Sequence, residues 1–391
     1  MAPPPERVVV VGGGLAGSRS VEALRAGGYQ GRLTLVGAEP QLPYDRPPLS
    51  KAVLSGAVSD TTLRASYADL DVEMLLGRRA VALGDGVLET DCGRLDFDGL
   101  VVATGAVPIG LPGGGRTLRT IGDALAMRAA MRPGARIIVV GAGWIGAEVA
   151  TASAAAGCRV TVVEAGPAPL AGALGVEVGL ATLPWYAEAG VDLLLGAPVT
   201  AVEPDAVVLA GGQSLPADYV LVGVGVRPDV GWLTGSAVAL ERGVAVDEHL
   251  RSSVPDVYAV GDAAAWSSRR FGRRLSVEHW DDALHAPAVA AANLLGGASV
   301  HDPVPYFWSD QFGRTVQYAG HPGGADTFVW RGDPTAGEWA GCWLRDGVLE
   351  AVVTVDRPRD LLQARRAIAA GAPMDLGRLV DPAIAIRAAT L

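Results

Sequence analysis

Two stretches of the chain carry the same order of apolar, small and helix-forming residues. The first begins at Arg7 with four valines, passes through a glycine-rich turn into an Ala- and Leu-containing stretch ending near Gly28, and resumes as an apolar run from Leu33 towards Glu39. The second begins at Arg136 with Ile-Ile-Val-Val, passes through a glycine-rich turn into an Ala-rich stretch ending at Gly157, and resumes from Arg159 towards Glu164. Continuous apolar runs of this length predict strands buried on both faces, and the stretches between them predict helices. Together they give the strand–helix–strand unit of a parallel sheet, built twice. Shorter alternating segments, Val81 to Leu95 with its turn Gly84-Asp85-Gly86 and Val199 to Leu215, predict antiparallel strands. After about Pro303 the aromatics Tyr306, Phe307, Trp308, Trp330, Trp339 and Trp343 lie among glycine turns and predict a small antiparallel sheet, followed by a helix over Leu361 to Ala370. Core packing is the expected role of the tryptophans there.

The glycine-rich turns add chemistry. Gly12-x-Gly14-x-x-Gly17 follows one predicted strand and opens a helix, and Gly141-x-Gly143-x-x-Gly146 does the same in the second unit. The first glycine of each permits a tight turn, the second lets backbone approach a pyrophosphate, and the third lets helix and strand pack closely. The helix start offers unpaired N–H groups and a partial positive charge to phosphates. Glu39 and Glu164 end the following strands, where an acid can accept hydrogen bonds from ribose hydroxyls. A carboxylate there repels a ribose phosphate, which predicts NADH rather than NADPH. Two such sites in one chain predict two dinucleotides, and a held flavin with a passing nicotinamide is the natural pair for hydride transfer. The fold class is therefore α/β, with two Rossmann-like dinucleotide-binding domains and a small α+β C-terminal domain.

With 391 residues the chain is long enough for two or three domains, and its 50% hydrophobic and 19% charged residues suit a well-buried protein. Its formal net charge of −10 makes nucleic acid and anionic membranes poor partners. Cys92, Cys158 and Cys342 are scattered and form no CxxC, against a disulfide framework or a dithiol centre. His249, His279, His285, His301 and His321 show no metal-ligand spacing, so no metal is assigned. The Pro-rich start, Met1 to Arg7, lacks the layout of a signal peptide, and no apolar run approaches a membrane span. A cytoplasmic location and a monomer are the defaults.

One charge stands out. Lys51 is the only lysine, so the other 31 of the 32 basic residues are Arg. It closes the segment Tyr44-DRPPLSK-Lys51, shortly after the first nucleotide unit. An ammonium is a compact point charge, whereas a guanidinium is a wide planar fork, and a tight place beside a flavin ring would demand the former. The alternative is a chance survivor on a solvated loop. Glu148, just inside the second glycine-rich helix, suits the dipole of that helix start; pairing with Lys51 is the reading that carries chemistry.

These segments together resemble the FAD-dependent ferredoxin reductase branch of the glutathione-reductase-type flavoproteins. The markers are the two fingerprints, YDRPPLSK at Tyr44–Lys51, VVATGAVP at Val101–Pro108, VGVGVRP at Val222–Pro228, VYAVGDAA at Val257–Ala264, EHWDDA at Glu278–Ala283 and PYFWSDQFG at Pro305–Gly313. The resemblance implies an FAD-binding domain in two parts, 1–107 and 229–303, an NAD-binding domain over 108–228, and a C-terminal domain over 304–391 closing over the flavin. It implies FAD contacts from Gly12, Gly14, Glu39, Arg46 and Lys51, with Asp262 on the ribityl chain and Trp280 near the isoalloxazine, and further cofactor contacts from Leu15, Ala16, Gly17, Val81, Ala103, Thr104, Gly105 and Gly261. Lys51 and Glu148 match the charged catalytic pair beside flavin N5. Gly143, Ile145, Glu164 and Gly225 match the NAD side, and Glu278 a residue near the nicotinamide. The stretch Asp281 to Pro287 departs from the family pattern, which usually carries Asn and Gln there.

The implied activity is NADH:ferredoxin reduction: a hydride to flavin N5, then single electrons to a [2Fe-2S] ferredoxin that supplies a monooxygenase or dioxygenase. An NADH oxidase passing electrons to oxygen or small acceptors is one rival, disfavoured because the YDRPPLSK loop has no Cys. A redox-sensing flavoprotein that changes oligomeric state is the other. Arg269, Arg270, Arg273 and Arg274, with no acid nearby in sequence, read as a solvated hairpin or as a landing patch for an acidic ferredoxin.

Overall fold

The computed structural model describes residues 5–64 and 66–391; of the proline-rich start, Met1 to Pro4 lie outside the described residues. The chain forms two compact units, each assembled from three separate segments.

The first unit takes Met1–Asp45, Thr61–Val107 and Arg227–Pro305. Its centre is a five-stranded parallel sheet in the order Val257–Ala259, Gly99–Val102, Arg7–Val11, Arg32–Gly37, Val72–Leu76. Val8 to Val11, Leu33, Leu35, Val36 and Leu100 to Val102 are all buried, as strands covered on both faces require. Helix Leu15–Ala26 starts directly after the central strand and packs along helix Trp280–Leu294. Two three-stranded sheets complete the unit. One is the antiparallel meander of Ala80–Leu83, Val87–Thr90 and Gly93–Asp96, as the alternating segment predicts. The other ends in the hairpin of Ala264–Ser268 and Arg273–Leu275.

The second unit takes Arg46–Asp60, Pro108–Val226 and Tyr306–Leu391. It repeats the strand–turn–helix of the first around a four-stranded parallel sheet, ordered Asp192–Leu194, Arg159–Val163, Arg136–Val140, Tyr219–Val222, with helix Trp144–Ala155. The predicted antiparallel segment forms the strands Val199–Val202, Ala206–Leu209 and Ser214–Pro216.

The chain after Tyr306 folds as a five-stranded antiparallel sheet, ordered Tyr306–Gln311, Arg314–Gly320, Val348–Val355, Trp339–Arg345, Thr327–Arg331, backed by helix Pro358–Ala370. This sheet shares one core with the nucleotide-type part of its unit. Val316, Tyr318, Trp339, Val353 and Val355 pack with Leu170, Leu174, Val178 and Trp185, and the Trp185 and Trp339 rings stack with centroids 6.3 Å apart. Trp144 and Phe307 meet edge to face at 4.4 Å. Aromatic burial thus joins the C-terminal sheet to the second nucleotide fold.

Candidate active site and dinucleotide cradles

Both glycine turns are built in one way. Gly12 has φ +125°, and a Cβ there would stand 2.1 Å from the Ala103 carbonyl oxygen. A Cβ on Gly17 would stand 1.8 Å from the Gly12 oxygen. In the second unit, Gly141 has φ +102° and a Cβ would meet the Gly223 oxygen at 2.5 Å, while one on Gly146 would meet the Gly141 oxygen at 2.0 Å. The middle glycines differ. A Cβ on Gly14 would meet no heavy atom within 4 Å, and one on Gly143 only the Gly223 oxygen, at 4.0 Å. The outer glycines are demanded by the fold, whereas the middle ones face space that the chain leaves open. Both middle glycines are the N-caps of their helices and bring no capping side chain, so first-turn N–H groups are left for a ligand. The residues present fit a pyrophosphate at each turn.

The strand-end acids are held by short bonds. Glu39 accepts the Tyr44 hydroxyl at 2.6 Å, with Tyr44 itself buried. Glu164 accepts the backbone N–H of Ala142 on Oε2 and that of Gly166 on Oε1, both at 2.7 Å. These bonds fix each carboxylate at the mouth of its turn while leaving acceptor capacity for ribose hydroxyls.

Around the first cradle, Ala103 supplies the oxygen that closes on Gly12, Thr104 donates its hydroxyl to the Asp229 oxygen at 2.7 Å, and the Gly105 oxygen accepts the Asp229 N–H at 2.9 Å. Gly261 and Asp262 form the turn after Val257–Ala259, and a Cβ on Gly261 would lie 3.2 Å from that of Ala16, the second residue of the helix begun by Leu15. Trp280 donates its indole N–H to Asp45 at 2.7 Å, which orients the ring. Glu278 pairs with Arg242 at 3.5 Å. Val81 stands apart in kind: it lies on the antiparallel meander and is 46% exposed. In the second unit, Ile145 is exposed on the first turn of its helix and the Gly225 oxygen accepts the Ile109 N–H at 3.0 Å. Arg46 donates to the Arg119 carbonyl.

Lys51 and Glu148 come together within the second unit. Lys51 follows the short helical turn Pro47–Ser50, Glu148 sits on Trp144–Ala155, and the Nζ–Oε1 distance is 2.8 Å. The Glu148 side chain is only 4% exposed, and a carboxylate so buried needs donors. It has two more: Ser50 Oγ donates to Oε2 and Ser309 Oγ to Oε1, the latter at 2.5 Å. Gln311 Nε2 donates to Ser309 Oγ at 3.0 Å. Ser50, Ser309 and Gln311 carry no role in the sequence reading. A signal was present: in Tyr306–Gln311 the alternation of a strand puts Phe307, Ser309 and Gln311 on one face, so two polar residues share a face with an aromatic.

The arginine hairpin is less bare than its sequence neighbourhood predicts. Arg269 pairs with Glu248, Arg274 with Glu241 at 3.1 Å, and the Arg270 backbone N–H donates to Asp302 at 3.0 Å, so acids from elsewhere in the chain meet this hairpin. Among the described residues no group of three or more His, Cys, Asp or Glu side chains is placed to hold a metal, and no helix is long and apolar enough to cross a membrane.

A parallel sheet opening onto an uncapped glycine helix with an acid at the next strand end, built twice, defines a two-dinucleotide oxidoreductase. The chain belongs to the pyridine nucleotide-disulphide oxidoreductase family, which residues 6–286 match, while residues 306–390 match the reductase C-terminal family. FAD and NAD(H) are its cofactors. It is 37% identical over 398 residues to the ferredoxin reductase component of chlorobenzene dioxygenase from Cupriavidus sp. (strain PS12), covering 96% of this chain and 95% of that one. The crystal structure of Fdr9 matches with a TM-score of 0.94 and 51% identity, over 97% of this chain and 99% of that one. The covalent putidaredoxin reductase–putidaredoxin complex matches with a TM-score of 0.94 and 31% identity, over 98% and 97%.

Proposed function

We propose that this protein is an FAD-dependent NADH:ferredoxin oxidoreductase supplying electrons to a monooxygenase or dioxygenase. The observation that carries the reading is the pair of glycine cradles of one construction, in a chain whose full-length relatives include a dioxygenase ferredoxin reductase component. Bound FAD supplies the conversion of a hydride pair into single electrons. The Gly12–Gly17 turn with Glu39 holds FAD, and the Gly141–Gly146 turn with Glu164 holds NADH. Glu164 selects NADH by repelling a ribose phosphate. Lys51 offers a fixed positive charge to the anion that develops during hydride transfer, and Glu148 keeps that ammonium in place. The domains divide as FAD-binding over 1–107 and 229–303, NAD-binding over 108–228 and C-terminal over 304–391.

Cysteine chemistry does not offer a second route for the electrons. Cys342 is buried, which pushes its thiol up to about 12. Cys92 is exposed on a turn of the meander, and Cys158 follows the second glycine helix. With no dithiol, the acceptor is external. The exposed Arg273 and its hairpin neighbours remain the proposed landing patch, with Arg269 and Arg274 weakened by their acids. Turnover with purified [2Fe-2S] proteins, using NADH and NADPH in turn, tests the function. Rapid NADH-dependent reduction of an iron–sulfur protein is expected. Fast reoxidation by air with no turnover of any iron–sulfur protein would identify an oxidase instead.

A further inference from the structure

We infer that Ser309, on the C-terminal sheet, is a positioning residue for the hydride-transfer step and acts through Glu148 on Lys51, with Ser50 as its counterpart on the loop. The inference deepens the reading above and rests on the role proposed there for Lys51.

The geometry leaves the hydroxyls little choice. An ionised carboxylate only accepts, with about four lone-pair sites to fill. At Glu148 both oxygens are engaged from opposite parts of the unit: Oε2 by Ser50, Oε1 by Ser309 and Lys51. Donors on both oxygens stop rotation of the carboxylate plane, so the direction in which Oε1 faces Lys51 is set. Ser309 has a single O–H. Gln311 donates to its oxygen, so that O–H is directed to Glu148. Ser309 and Gln311 are 0% and 1% exposed, and water does not replace either bond. The result is an ordered line, Gln311 to Ser309 to Glu148 to Lys51, that starts on the C-terminal sheet and ends on an ammonium. Removing the Ser309 hydroxyl leaves Oε1 with Lys51 alone. The buried carboxylate then turns to recover a donor and carries the ammonium with it.

Because Lys51 is the sole lysine, uniform [15N]lysine labelling of the holoenzyme places one side-chain Nζ signal in the spectrum. Ser309→Ala is expected to shift that resonance, and Ser309→Thr, which keeps a hydroxyl, to return it. In stopped-flow reduction by NADH, Ser309→Ala should lower the limiting rate on the order of tenfold without changing the NADH concentration at half-saturation, as displacement of a charge rather than loss of binding requires. Ser309→Thr should recover the rate. In a Lys51→Met background, Ser309→Ala should add nothing. Ser50→Ala, which deletes the other hydroxyl, is read in the same way and serves if Ser309→Ala does not fold. An unmoved Nζ signal with an unchanged rate, or a full additional loss in the Lys51→Met background, would overturn the inference while leaving the role of Lys51 standing. Unchanged reduction kinetics in Lys51→Met alone would remove both.

Discussion

Lys51 and Glu148 meet at 2.8 Å within one unit, although one stands on a loop after the first nucleotide fold and the other on the helix of the second. The Lys51 side chain is 22% exposed and its carboxylate partner is buried, so the ammonium is held from the protein side. Lys51→Met is expected to slow NADH-dependent flavin reduction on the order of a hundredfold, the scale of removing a preorganised charge from a developing anion. FAD content, read from visible absorbance after gel filtration, should not change.

The glycines of each cradle separate into two kinds, and substitution should separate them. Gly17→Ala and Gly146→Ala place a methyl 1.8 Å and 2.0 Å from backbone oxygens, so both should lower the melting temperature sharply. Gly14→Ala meets no protein atom within 4 Å; it should fold normally and lose FAD. Gly143→Ala should stay yellow and raise the KM for NADH. Circular dichroism, flavin absorbance and initial rates distinguish these outcomes.

Glu164 is pinned by two backbone N–H groups, so its charge cannot swing away from a ribose phosphate. Glu164→Ser should weaken NADH and relieve repulsion of NADPH, shrinking the ratio of their kcat/KM values by roughly 10–100-fold, a few kcal/mol of discrimination. Steady-state kinetics with both nucleotides measure this directly.

Arg331 is buried at 1% exposure and anchors the C-terminal tail. It donates to Asp360 and to the backbone carbonyls of Leu379, Asp381, Pro382 and Ile384. Arg357 also pairs with Asp360 at 2.6 Å, which leaves that carboxylate one partner if Arg331 is lost. Arg331→Met should still cost about 3 kcal/mol, because the buried Leu379 carbonyl and the part-buried Asp381 and Ile384 carbonyls lose this donor, while Pro382 keeps Arg357. Urea unfolding followed by tryptophan fluorescence should show the loss, and limited proteolysis should release the tail first.

The thiols should react in order of exposure. Cys92 is exposed, Cys158 is half-buried with its thiol raised by burial, and the Cys342 thiol is pushed up to about 12. Only a thiolate attacks a disulfide reagent. In the native holoprotein at mildly alkaline pH, one thiol should react quickly, a second slowly, and Cys342 only after denaturation.

Much of this molecule is legible in windows of a few residues. The valine and isoleucine runs at Arg7 and Arg136 become central parallel strands because a strand buried on both faces must be apolar throughout. The glycine spacings become turns because the contacts they avoid, Gly17 against Gly12 and Gly146 against Gly141, lie within the same short segment. Tertiary structure alone decides the surroundings of Glu148. Ser50 reaches it from a loop and Ser309, itself held by Gln311, from a sheet near the other end of the chain, and no local periodicity encodes which distant segments will approach. The same holds for the core shared by Trp185 and Trp339, and for the acids that meet Arg269 and Arg274. Local pattern selects an element because its energetics act over a few neighbours. A buried carboxylate's donors are selected by the packing of whole segments, and that exists only once the chain has folded.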